Sequence, residues 1–250
     1  MSPSTSTATL ATIKHLYLYP IKAMRGVAVP EAYVGLNGML GDRRYAFVQQ
    51  ALAGKHHFPW MTGRDKPRMI LYSPQFARHP TVDDADPPII VHTPDGDEYD
   101  VADERLRAKL ESEAQRPLLL FKSKRGNYDA QHLSLFNLLT LRQLEMESDC
   151  TIDYRQFRAN IYIEPTDGMP FTEEAWVGLT LQVGEAVISV TMKDERCMMI
   201  NLDPETAQQN PQVLRAVARN HDECVGVYAN VLKAGVVRVG DMIRVVSRER

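Results

Sequence analysis

Glu195-Arg196-Cys197-Met198-Met199-Ile200-Asn201-Leu202-Asp203-Pro204-Glu205-Thr206 follows a strand-like run that ends near Met192. A strand delivers a cysteine to a polar turn, with an arginine at its side. Nearby positive charge favours the thiolate, the form that ligates metals or attacks sulfur. On the residues alone a second reading stands beside this one, a free cysteine as a small buried hydrophobe. Cys150 follows Asp149, and Cys224 follows Asp222-Glu223. Negative charge disfavours their thiolates, so both read as structural.

Strand patterns surround this stretch. Leu179–Val183 joins Ala186–Met192 across Gly184-Glu185, Phe157–Ile163 alternates, and Val225–Leu232 and Val236–Val246 close the chain. Asn210-Pro211 opens a helix with Val213, Leu214 and Val217 facing inward. A longer helix is expected over Ser134–Glu147, striped by Leu135, Leu138, Leu139 and Leu141. Asp103 caps a short helix in which Leu106 and Leu110 share a face.

Toward the start, Ile13–Tyr19 reads as a buried strand ended by Pro20, which lacks a backbone donor. Val27–Val34, Tyr45–Gln50 and Arg68–Tyr72 are further strand candidates. Ile89–His92 and Tyr99–Val101 flank Pro94-Asp95-Gly96 as a hairpin. Short strands at this spacing predict a barrel or sandwich. The Pro- and Asp-rich segment His79–Pro88 is an exposed loop. The division expected is a disordered tail at 1–11, a β-rich unit at 12–102 and a second unit at 103–250.

The 250 residues carry a formal net charge of −3, with 44% hydrophobic and 24% charged residues. That balance lacks the concentrated basic face of a nucleic-acid binder. No apolar run approaches the roughly 18 residues of a membrane span. Three dispersed cysteines give no disulfide framework, and a cytoplasmic location is expected. The chain has no C-x-x-C pair, no Walker A loop and no G-x-G-x-x-G, so the motifs for a cysteine-built zinc site or a nucleotide fold are missing. His56-His57 reads as a surface loop, and the acidic run Asp83-Asp84 with Asp86 as a solvated one.

Five stretches, in order, carry a family resemblance: Leu18-Tyr19-Pro20-Ile21-Lys22, Gly41-Asp42-Arg43-Arg44-Tyr45, Phe157-Arg158-Ala159-Asn160, Arg196–Thr206, and Val225–Val231 with Gly235–Asp241. Together they resemble the MOSC family, the molybdenum cofactor sulfurase C-terminal domain, with its companion N-terminal β-barrel domain. The resemblance covers about Ile13 to Val246. It implies a mixed, mainly β fold: a MOSC-type β-barrel with a few flanking helices, preceded by a smaller β-rich N-terminal domain.

The resemblance also implies a molybdenum cofactor (molybdopterin) with Cys197 as the one protein ligand to the metal. A soft sulfur ligand suits such a centre. Lys22, Arg43, Arg64 and Arg158 are the candidates for the cofactor's phosphate, since a guanidinium pairs with phosphate oxygens bidentately. Asn160 and Asn201 are candidates for its pterin edges. Ala23, Ala159, Ile200 and Asn201 depart from residues common in the family. Ala23 removes a possible hydroxyl contact to the cofactor, and the changes leave the metal ligand intact but bear on the substrate side of the pocket.

The layout resembles the amidoxime-reducing members, which implies an oxidoreductase acting on a small N-hydroxylated substrate. The chain has no flavin or ferredoxin motif, so electrons come from an external electron-transfer protein of ferredoxin or flavin type. No nucleic-acid or membrane partner is expected. Two alternatives stay open: a sulfur carrier or transferase using a Cys197 persulfide, and a non-catalytic cofactor carrier.

Overall fold

Ala11, Ile13, Leu16 and Leu18 are sealed from solvent on β1 (Thr9–Leu18), the strand that closes the barrel. The structure, a computed structural model, describes residues 8–246. The tail expected through residue 11 is therefore too long. Ala11 already pairs with both Pro165 and Ile243, whereas residues 1–7 lie outside the described residues.

The chain continues through β2 (Val27–Val29), β3 (Glu31–Gly35), β4 (Gly38–Met39), β5 (Tyr45–Gln49), β6 (Ser73–Phe76), β7 (Ile89–His92) and β8 (Glu98–Asp100). Next come α1 (Glu104–Ala114), β9 (Leu118–Lys122), β10 (Leu133–Asn137), α2 (Thr140–Ser148) and β11 (Ile161–Pro165). The second half holds β12 (Thr180–Val183), β13 (Ala186–Glu195), α3 (Gln212–Asn220), β14 (Cys224–Lys233), β15 (Gly235–Arg238) and β16 (Met242–Val245). The architecture is mainly β, as expected.

Seven strands run β11-β10-β14-β13-β12-β16-β1, and β1 pairs back to β11, so the sheet closes. Closure removes the unpaired edges that an open sheet exposes. A register shift between Ile13 and His15 bends β1 along β11, as a bulge does. The barrel interior is filled by Ile13, Leu135, Ile161, Ile163, Leu181, Ile188, Val227 and Ile243.

Two further cores flank it. One joins Ile21, Met24, Phe47, Met61, Tyr72 and Val91 to Leu106, Leu110 and Leu118. Thus α1 and β9 pack with strands from the first hundred residues, across the expected division at 102/103. The other core gathers Tyr17, Tyr19, Phe136, Phe157, Tyr162, Ile200, Val213 and Val217 outside the barrel wall.

Three local expectations are corrected. Ser134–Glu147 is not one helix: Leu133–Asn137 is a strand with all five residues buried, and the helix begins at Thr140. Asn137 Oδ1 accepts from Leu139 N at 2.9 Å, capping the junction. Arg68–Tyr72 is a 3-10 turn over Pro67–Leu71, with Pro67 opening it. Phe157–Ile163 is interrupted by Arg158, whose φ of 53° lies in the left-handed region. Asp103 caps α1 as read, accepting from Arg105 N at 2.8 Å.

Candidate functional site

β13 runs antiparallel to β14 until Glu195 faces Cys224. Cys197 follows in an extended conformation, and its carbonyl accepts from Ile200 N at 3.2 Å to start a single 3-10 turn, Met198–Asn201. Arg196 pins this end of β13. Its Nε donates to Val225 O (2.7 Å), its Nη1 to Phe157 O (2.8 Å), and its Nη2 meets Asp194 Oδ2 at 2.9 Å. Gly226 has a φ of +79°, and a Cβ there would stand 2.7 Å from Leu135 O and 3.0 Å from Arg196 Nη2. Glycine is what lets the guanidinium lie flat against β14. Burial pushes the Asp194 carboxyl up to about 6, against the pull of Arg196. The arginine beside the cysteine is thus committed to a carboxylate and two carbonyls.

Cys197 lines a cavity of about 280 Å³. Lys22, Arg43, Arg64 and Arg158 line the same cavity, although they lie up to 175 residues away in sequence. Lys22 is buried, donates to Asn127 O at 2.5 Å and pairs with Asp129. Its ammonium sits 4.3 Å from the Trp60 ring centroid. Burial lowers it to about 8, with Asp129 opposing the fall. Arg64 stands over Phe58 and reaches the other oxygen of Asp129 at 3.4 Å. Its loop is held close by Gly63, where a Cβ would be 2.8 Å from Met199 Sδ.

Arg43 pairs with fully buried Asp42 and donates to Arg158 O at 3.2 Å. Burial disfavours its charge, but Asp42 together with Tyr19 and Tyr128 outweighs this and holds the guanidinium above its usual value. Arg158 differs from the other three. Its guanidinium lies 4.5 Å from the Tyr19 ring centroid. Among the described residues it has no carboxylate partner and its side chain makes no hydrogen bond. Burial lowers its pKa.

Asn160 and Asn201 are not brought into this cavity. Asn160 Oδ1 accepts from Ser134 N at 3.3 Å and its Nδ2 donates to Tyr17 O at 3.2 Å, stitching β10 to β1. Asn201 Oδ1 accepts from Leu214 N at 2.9 Å and holds the first turn of α3. The Asn160 amide is thus engaged through both its oxygen and its nitrogen, and Asn201 through its oxygen. Sequence reasoning missed Asp129, the counter-ion of two candidate cations, and Asp194, which lines the cavity beside Tyr228. The alternation Asp194-x-Arg196 on β13 was the available signal for the second; nothing local marked the first.

Cys150 Sγ stays by Ser148 Oγ at 3.1 Å, and burial pushes the Cys224 thiol up. Neither lines the cavity. His56 and His57 stack on one another in an exposed loop. The acidic loop is less solvated than expected, because Asp86 pairs with Arg44 and Lys122. Among the described residues no group of three or more His, Cys, Asp or Glu could hold a metal ion. No helix among them is long and apolar enough to cross a membrane. A thiol plus surplus guanidinium charge fits an anionic group that brings its remaining metal ligands with it.

The family described as "MOSC domain" matches residues 100–244. The chain belongs to the MOSC family. The MOSC N-terminal beta barrel domain matches residues 10–131, overlapping the first match across α1 and β9. The chain is 23% identical to mitochondrial amidoxime reducing component 2 of Bos taurus over 94% of its own length and 83% of that protein's. It is 36% identical to the molybdenum cofactor sulfurase of Drosophila grimshawi over 134 residues, 48% of this chain. The chain spans only 17% of that sulfurase's length and 10% of its Drosophila mojavensis counterpart's. The fold is shared with the YUAD protein from Bacillus subtilis, at a TM-score of 0.52 and 14% identity, covering 96% of this chain and 97% of that one.

Proposed function

We propose that this MOSC protein holds a molybdenum cofactor and works as an oxidoreductase on small N-hydroxylated compounds. The observation that carries the reading is the convergence of Cys197 with Lys22, Arg64 and the unpartnered Arg158 on one cavity. Cys197 would offer a single soft sulfur to the metal, while the basic residues would balance the cofactor's phosphate. When bound, such a group supplies two-electron exchange at a centre that accepts oxygen. The overall change breaks one N–O bond, takes up two electrons and two protons, and releases water. Asp194, a buried carboxyl on the same wall, can hold or release a proton there. Electrons come from an external ferredoxin- or flavin-type protein, and the setting we assign is cytoplasmic.

Resemblance to the two sulfurases supports a second reading, in which Cys197 carries a persulfide. Elemental analysis of protein purified from a host that makes the cofactor separates the two. The proposed function expects close to one molybdenum per chain, lost in Cys197→Ser without loss of the fold, together with loss of hydroxylamine reduction driven by an artificial low-potential donor. Full activity in Cys197→Ser would sink it. Sulfur carried on Cys197 without molybdenum would favour the persulfide reading, and molybdenum without turnover a carrier.

Charge-assisted hydrogen bonds contribute roughly 1.5–3 kcal/mol each, or about 10- to 150-fold in affinity. Arg158→Ala should weaken cofactor retention by that much and leave the melting temperature nearly unchanged, since no protein acceptor is lost. Arg43→Ala should weaken retention and also destabilise the fold, because it strands Asp42. Replacing Arg107, which pairs with Glu104 and Glu111 on α1, should do neither. Equal cofactor occupancy in all three variants would place the pocket elsewhere.

A further inference from the structure

A second chamber adjoins the Cys197 cavity behind a partition formed by Gln156, Arg158 and Met199, which line both. Its volume is about 150 Å³. That volume has room for about one benzene ring. Tyr17 and Tyr19 line it with roughly parallel rings 6.3 Å apart, joined by Ile70, Met199 and Leu202. Gln156 is wall only, since its Nε2 donates to Ile200 O at 2.7 Å and its Oε1 accepts from Asp153 N at 2.8 Å.

Charge on this chamber is asymmetric. Arg25, Arg155 and Arg158 line it. Glu205 accepts from Arg25 at 3.0 Å and from Arg155 at 2.7 Å, and Asp153 also pairs with Arg155. Three cations against two carboxylates leave one positive charge over, and Arg158 is the member without an acceptor. Apolar walls with a few fixed polar groups are the make-up of a small-molecule site.

We propose that this chamber binds one small aromatic ring bearing an anionic substituent, an arenecarboxylate, with the ring against Tyr17 and Tyr19 and the carboxylate on Arg158. None of its walls is the Cys197 thiol, but Arg158 belongs to both sites, so the inference shares that one residue with the molybdenum reading. The guanidinium serves both chambers, so an occupant here competes for the cation that faces the larger cavity. Such sharing is a coupling between two sites.

The test is calorimetric titration of metal-free protein with benzoate, phenyl phosphate, phenol and inorganic phosphate. Benzoate and phenyl phosphate should bind at one site per chain, and phenol at least about tenfold more weakly, for want of the charge-assisted contact. Ala28→Trp, at an exposed position lining the chamber, should abolish benzoate binding, and Arg158→Gln should weaken it by about tenfold or more. Arg64→Gln, which touches only the larger cavity, should leave it unchanged. Each variant's melting temperature reports its folding. Absence of benzoate binding at millimolar concentration would overturn the proposal, as would binding indifferent to both Ala28→Trp and Arg158→Gln. Inorganic phosphate that displaces benzoate as effectively as phenyl phosphate does, in protein carrying Arg64→Gln to weaken the larger cavity, would show that the ring is not recognised, which also overturns it. Molybdenum content enters none of these readouts, so the two readings can fail separately.

Discussion

Arg196→Met should cost the protein about 3–5 kcal/mol of stability at pH 8, the range for removing one partner of a buried ion pair. Asp194 would keep its place in the wall with its cation gone, and the carbonyls of Val225 and Phe157 would each lose a donor. Methionine fills much of the volume, so the loss reports charge and hydrogen bonding more than packing. The penalty should shrink at pH 5, because Asp194, pushed up to about 6 by burial, then keeps its proton and needs no partner. The double variant Asp194→Asn/Arg196→Met should recover part of the loss, since no buried charge is left alone. Urea unfolding midpoints at the two pH values check this. A loss below about 1 kcal/mol at pH 8, typical of a solvent-exposed pair, would show that the two side chains are solvated instead of sealed.

Glu173 should give the protein a stability that declines as pH rises. Its carboxyl is fully buried at the barrel end, with Oε1 accepting from Asn137 N at 3.3 Å and Oε2 without a partner. Burial pushes it up to about 7, and neighbouring Glu174 adds to the rise. The native state therefore keeps a proton that the unfolded chain gives up above its ordinary value of 4.5. The contribution is whole below that value and is lost as pH climbs through about 7. Two to three pH units at about 1.4 kcal/mol each amount to roughly 3 kcal/mol. Glu173→Gln keeps the shape and removes the titration. Its stability relative to wild type should rise by roughly that amount between pH 4.5 and pH 8. Asp194 has the same sign below about 6, and comparing the two proteins at each pH cancels it. Parallel pH profiles would mean that Glu173 is hydrated.

The barrel was legible because its strands are bounded by strong breakers, such as Pro20 and Gly184. The segment after Leu133 was misread because a short, fully buried strand and the inner face of a helix are both continuous apolar runs. Only the neighbours β11 and β14, set by tertiary pairing, decide between them. Pattern also missed the break at Arg158, since a left-handed arginine has no local sequence mark. That break turns the side chain into the cavity, so the misread strand and the unpaired cation are one event. The family's motifs single out Cys197, Lys22, Arg43, Arg64 and Arg158, and the fold brings these five to one cavity. It leaves Asn160 and Asn201 off that cavity, since an amide on a motif can serve backbone groups as readily as a ligand.

Closure of the barrel by β1 also dictates when the protein can fold. Residues 9–18 must wait for Ile161–Pro165 and then for Met242–Val245 before both of their edges are paired. Contacts so distant along the chain slow folding. During synthesis β1 stays without its β16 partner while more than two hundred further residues emerge. A piece beginning at residue 103 would carry the Cys197 turn but leave β11 and β16 with open edges, ready to pair with another chain.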